Sequence, residues 1–198
     1  MQRYGGPCAA VLAILGMMVV LVIGPANADP SAEDIAPPLP VIVPTPSNWQ
    51  PQFPFPYDQT RGSVTGAEIN AEREMCQWYN AQYDTLLTQI DDLDVNLVRR
   101  NGDYNVAGNQ QLAHAVSANI DRSVDFLAPR AQTLTVKPDS TGAMYFPLYQ
   151  GESFYRLWQQ LSNVSAGIKG RQPSWFYGPS LQHARRWGSK ITHSHVCR

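Results

Sequence analysis

Cys76, Tyr79, Tyr83, Leu86, Ile90, Leu93 and Leu97 follow one another at alternating intervals of three and four, and Ile69 begins the same row one heptad earlier. Written as heptads, one row is Ile69, Cys76, Tyr83, Ile90 and Leu97, and the other is Glu72, Tyr79, Leu86, Leu93 and Arg100. Residues three and four apart share one side of an α-helix, so this pattern predicts a long helix from residue 65 to residue 100. Its apolar stripe is narrow, which suits antiparallel partner helices in a bundle. Thr65 followed by Glu68 matches a capping box at the start. Asn101-Gly102-Asp103 marks the end, because Asn and Gly tolerate left-handed backbone.

The same reasoning predicts three more helices. One runs from about residue 105 to 128, with Val106, Leu112, Ala113, Val116, Ile120, Val124 and Leu127 as its apolar side and Pro129 ending or kinking it. The short break between them makes the first two helices antiparallel neighbours. A third covers about 152–167 through Phe154, Leu157, Trp158, Leu161 and Val164. A fourth starts at Pro179 and buries Leu181, Ala184, Trp187 and Ile191. Residues 135–151 read as irregular, and their cluster Met144, Tyr145, Phe146, Leu148 and Tyr149 reads as a loop closing over the bundle rather than a short strand. The fold class is therefore mainly α: a small bundle of about four helices over residues 61–198, the first of them long.

Residues 29–60 hold most of the prolines, which lack the backbone donor and fix φ, so neither helix nor central strand forms there. This segment reads as a disordered, polyproline-like arm. Val41, Ile42, Val43, Trp49, Phe53, Phe55 and Tyr57 interrupt it, and aromatic residues are unusual in free linkers. Two readings stand side by side: a spacer, or a segment from Trp49 to Tyr57 that docks on the helices or on a partner.

Residues 1–28 have the pattern of a secretory signal: Arg3, an apolar run from Ala9 to Ile23, and the small-x-small site Ala26-Asn27-Ala28. The run is shorter than the twenty or so residues of a spanning helix, so no stable transmembrane span is expected after cleavage, although a retained anchor is the alternative. Cleavage after Ala28 implies a secreted or envelope location. It leaves 170 of the 198 residues, with 14 basic and 16 acidic side chains. That near-neutral balance speaks against nucleic acid as a partner.

The chemistry-bearing residues are few. Cys76 and Cys197 remain after cleavage, and in an oxidising compartment an even pair reads as one disulfide, the alternatives being free thiols or a bridge between molecules. Eight acidic residues lie between Glu68 and Asp103, whereas the segment from Ser153 to Arg198 has none and carries Arg156, Lys169, Arg171, Arg185, Arg186, Lys190 and Arg198. Either the basic helices pack beside the acidic one, or they offer a face to anionic lipid or envelope polymer. Trp158, Trp175, Phe176, Tyr177 and Trp187, with Arg185 and Arg186, form a candidate partner or ligand surface, and core packing is the competing reading. His193, His195 and Cys197 would share one side of an extended tail, a weak metal-ligand pattern. Asp91, Asp92 and Asp94, and the pair Asp121 and Asp125, read as solvated surfaces. No nucleophile elbow, phosphate loop, dinucleotide fingerprint or zinc-protease motif occurs, so no catalytic residue and no cofactor is assigned.

The Ala-Asn-Ala signal end, the Asp29-Pro30 mature start and the proline-rich arm resemble exported proteins of mycobacteria and related actinobacteria. Cys76 and Cys197, bracketing a helical domain, resemble small mycobacterial domains of unknown function. The resemblance implies an envelope or secreted location and carries no catalytic residues. The expectation is an accessory or binding protein that engages an envelope protein, lipid or wall component. The alternative is a small envelope enzyme or a metal-binding protein using the histidine-bearing tail.

Overall fold

A computed structural model of the chain describes residues 35–55, 61–106, 108–134, 137–138, 141–172 and 176–198. The signal-like segment 1–28 and Trp175 lie outside these residues.

Four helices form the bundle: α1 (Gly66–Arg99), α2 (Asn109–Thr133), α3 (Gly151–Lys169) and α4 (Pro179–Ser194). The capping box at the start of α1 is present, with the Thr65 hydroxyl accepting from the Glu68 N–H and the Glu68 carboxylate accepting from the Thr65 N–H at 2.8 Å. At the other end Asn101 and Gly102 take positive φ, and the Gly102 N–H returns to the Leu97 carbonyl at 2.7 Å. Both ends are as the sequence predicts.

α2 departs from expectation at its start, and at its end takes one of the two courses that Pro129 left open. It starts at Asn109 rather than residue 105, because Asp103 holds a turn: its carboxylate accepts from the Asn105 N–H, and its carbonyl accepts from the Asn109 side chain. It also continues past Pro129 to Thr133. The Arg130 guanidinium and the Thr133 hydroxyl donate to the carbonyls of Phe126 and Pro129, satisfying acceptors in the last turns.

Each helix runs antiparallel to the next. Arg130 near the end of α2 pairs with Glu74 near the start of α1, and Lys169 at the end of α3 pairs with Asp121 in α2. α4 closes back on α1, with Tyr79 and Tyr83 donating to the carbonyls of Gly188 and Ala184. Tyr79 and Tyr83 stack at 4.5 Å, and a Cβ added to Gly188 would overlap the Tyr83 ring and hydroxyl. Glycine at 188 is thus what lets α4 lie on the tyrosine pair. Lys137–Pro138 and Met144–Tyr145 form a two-residue antiparallel β-ladder, so the segment before α3 is partly a short strand, and Leu148 is buried beneath it.

Cys76 and Cys197 are joined in a disulfide, their Cα atoms 5.0 Å apart. The bond fastens the tail to the apolar stripe of α1, and the Asn80 side chain donates to the Cys197 carbonyl beside it.

Residues 35–55 of the arm are extended, yet they do not behave as a free spacer. They run antiparallel to α1 and are held through their main chain. The side chains of Gln89, Gln82 and Gln77 donate to the carbonyls of Pro37, Pro40 and Thr45 in turn. Asn119 of α2 joins in, donating to the Pro37 carbonyl and accepting from the Leu39 N–H. Ala36 and Leu39 are buried, and the Trp49 indole donates to the Val196 carbonyl at 2.6 Å. Of the two readings of the arm, docking is what these residues show. The physical reason is that a polyproline-like chain keeps all its carbonyls free, and a row of primary amides can satisfy them.

Candidate functional site

An open groove of about 730 Å³ lies between α3, α4, the 145–150 segment and the end of the arm. Its floor and lip are aromatic, with Tyr145, Phe146 and Tyr149 from the segment before α3 and Trp187 from α4. Gln150, Glu152, Ser153 and Arg156 enter from the first turns of α3, and Lys190, His193 and Ser194 from the end of α4. Pro54 completes the wall, and the arm braces the lip, since the Gln52 carbonyl accepts from the Tyr149 N–H at 2.9 Å.

Local sequence explains how these groups meet. Gln150 precedes α3 in left-handed backbone, φ 67°, which turns the chain sharply from the 145–149 segment into the helix. Lys190 and His193 are three apart, so α4 offers both on one side. The Lys190 ammonium lies 4.1 Å from the centroid of the Trp187 ring. Cation and ring are therefore presented together. Arg156 reaches Glu152 at 3.5 Å and Gln159 at 3.2 Å, and all of these partners are on its own helix.

A serine–histidine pair sits on the same stretch, and its geometry speaks against a nucleophile. His193 Nδ1 lies 2.7 Å from the Ser189 carbonyl oxygen and 3.1 Å from the Ser189 hydroxyl. A carbonyl only accepts, so Nδ1 carries the proton and cannot take one from Ser189. The ring's acceptor is then Nε2.

The predicted surface is divided by the fold. Of its described members, Trp187 alone lines the groove. Trp158 packs on Tyr155, which packs on Phe146, as a row along α3. Phe176 is fully buried core, the competing reading for this set. Tyr177 pairs with Phe176 at 4.6 Å and belongs to a separate cluster with Tyr104, Asp94 and Arg171. There burial, with Tyr177 beside it and Arg171 opposing, pushes the Tyr104 phenol up to about 12. Asp94 and Tyr177 are raised there as well, mainly by burial. Arg185 is tied to Asp91 of α1, an ion pair between the basic and acidic halves, while Arg186 stays exposed with its guanidinium 6.0 Å from the Trp187 ring.

The tail geometry needed for a metal site is not formed. His193 lies in the last helical turn, His195 caps α4 in left-handed backbone, and Cys197 is consumed by the disulfide. No group of three or more metal-ligating side chains lies together among the described residues.

Sequence reasoning missed most of the groove. Its one usable signal was the dense aromatic run from Met144 to Tyr149 immediately before α3. The polar members come from separate segments and share no periodicity.

Comparison with known proteins finds no matching family model, no matching curated protein and no matching solved structure. Among the described residues, no helix is long and apolar enough to cross a membrane.

Proposed function

We propose that the chain is an exported accessory or binding protein of the cell envelope, without catalytic activity, and that it captures its partner in the groove between α3 and α4. The observation that carries this reading is the groove itself. It joins four aromatic side chains to three basic ones, within the range of about 300–1,000 Å³ that ligand sites occupy. The Nδ1 of the histidine in it donates to the Ser189 carbonyl and cannot act as base toward the Ser189 hydroxyl, which favours recognition over acyl transfer. Export rests on the signal pattern ending at Ala28 and on the resemblance to exported actinobacterial proteins, and the disulfide is in keeping with an oxidising compartment.

Two measurements test the reading. Mass spectrometry of the secreted and envelope fractions should give Asp29 as the N-terminus, and intact Met1 in the membrane fraction alone would point to a retained anchor. Hydroxyl-radical footprinting in the presence of envelope extract should protect Tyr149 and Trp187. Unchanged labelling of both rings would remove the groove as the capture site.

A further inference from the structure

We propose that the groove takes an acidic saccharide chain, with Lys190 and Arg156 holding its carboxylate or phosphate groups and a sugar ring laid on Trp187. The proposal rests on the reading of the groove as the binding site and adds the ligand class.

Charge comes first. Arg156 and Lys190 face the groove against one carboxylate, Glu152, and no acidic residue follows Ser153 in the chain. Arg156 shares its charge with Glu152, whereas Lys190 pairs with no carboxylate among the described residues and lies against the Trp187 ring, so its ammonium can meet an anion. The second argument is the mixture of surfaces. Flat rings attract the C–H side of a sugar, whose hydrogens carry the positive partial charge that the ring centre favours. The Gln150 amide, whose oxygen accepts from the Ser153 hydroxyl, keeps an NH2 group of the kind that meets sugar hydroxyls. Shape is the third. The groove is open to solvent rather than an enclosed cavity, so a saccharide unit can enter it with its neighbours left outside.

A lipid fits less well. Among the described residues, the exposed large apolar side chains are Ile35, Val41, Val43, Phe55, Val95 and Val98, on the arm and α1. Phe55 alone adjoins a lining residue, Pro54, and a single ring is too little to seat an acyl chain.

Calorimetric titration of the full chain with its disulfide formed tests the proposal. The probes are oligogalacturonate, a phosphorylated oligosaccharide, a neutral glucose oligomer of equal length, and phosphatidylglycerol vesicles. At least one acidic oligosaccharide should bind about tenfold or more tightly than the neutral one and weaken as salt is raised. Arg156→Gln with Lys190→Gln should lose about tenfold of that affinity with an unchanged melting temperature, and Trp187→Ala should lose several-fold. Equal affinity for acidic and neutral oligomers overturns the proposal, as does unchanged affinity in the double variant or tighter binding to vesicles than to any saccharide. A neutral saccharide that perturbs Trp187 and Tyr149 would overturn the ligand class while leaving the groove as a binding site. Silence of both rings toward every probe and toward envelope extract would remove both.

Discussion

Glu72 occupies the stripe of α1 with its carboxyl closed off from water, and neither oxygen has a hydrogen-bond partner among the described residues. Burial holds its pKa well above the ordinary carboxylate value. In the unfolded chain the group titrates near about 4.3. The folded chain therefore binds this proton more tightly, and the stability it contributes is complete below the unfolded value and lost as pH rises through the folded one. Glu72→Met removes that titration. The stability difference in urea between variant and parent should grow in the variant's favour as pH rises above the unfolded value, and a flat difference would contradict it. Gly188 makes the opposite kind of demand. Gly188→Ala forces a methyl into Tyr83, a cost of about 2–3 kcal/mol by the usual penalty of overpacking. Tyr83→Leu in the same chain should return part of that loss in thermal melts, because the two sites are in contact. The heptad pattern already placed Glu72 and Tyr83 on the inward side. It did not say that the carboxyl would be left unpartnered, because spacing gives direction and not the partners waiting there.

The four helices were legible because each has an apolar row long enough to set its phase. α1 nonetheless buries a second row, Ala71, Met75, Trp78, Gln82 and Gln89, beside the predicted one. Nothing in periodicity says that an extended segment will cover the glutamines with its carbonyls. Asn119 shows how far the arm depends on such amides, because it meets the arm at Pro37 and Leu39 and also donates to Gln89 at 2.6 Å. Asn119→Ala should cost about 1–3 kcal/mol, the range for leaving buried polar groups unpaired. Hydrogen exchange gives the sharper readout: the Leu39 and Thr45 amides, both donors to side chains, should be protected in the parent, and Leu39 should lose protection in the variant. Equal exchange at Leu39 in the two proteins would show that the arm is held by other means. The groove was the least legible element, because the arm, the 145–150 segment, α3 and α4 each give it only part of its lining.

At the scale of the whole molecule, the pairing of Cys76 with Cys197 followed from a count of cysteines in a chain read as exported, and the structure forms that bond. The two residues are 121 apart in sequence. In the chain-entropy model closing such a loop contributes about 4–5 kcal/mol, a large fraction of the ~5–15 kcal/mol that holds a typical domain. Cys197→Ser should lower the melting temperature and free the tail, and with it the Trp49 contact to the Val196 carbonyl. Tryptophan fluorescence and hydrogen exchange should both report this, while the α1–α2 hairpin keeps its protection. Loss of protection throughout would mean that the bundle does not hold without the bond.

The arm lies outside that covalent ring, and this divides the molecule mechanically. A force drawn between residue 35 and the tail loads the hydrogen bonds of the arm one after another, as a zipper does, and then the part of α1 that precedes Cys76. There the load passes onto the sulfur–sulfur bond and extension stops. The releasable stretch, residues 35 to 75, has a contour of about 140 Å at ~3.5 Å per residue. Single-molecule pulling should show that one length with the disulfide intact, and a much longer one only after reduction. A tether at the N-terminal end would thus pay out a short length of chain under load while leaving the ring under no tension, and the groove would lose only the wall and brace that Pro54 and Gln52 give it.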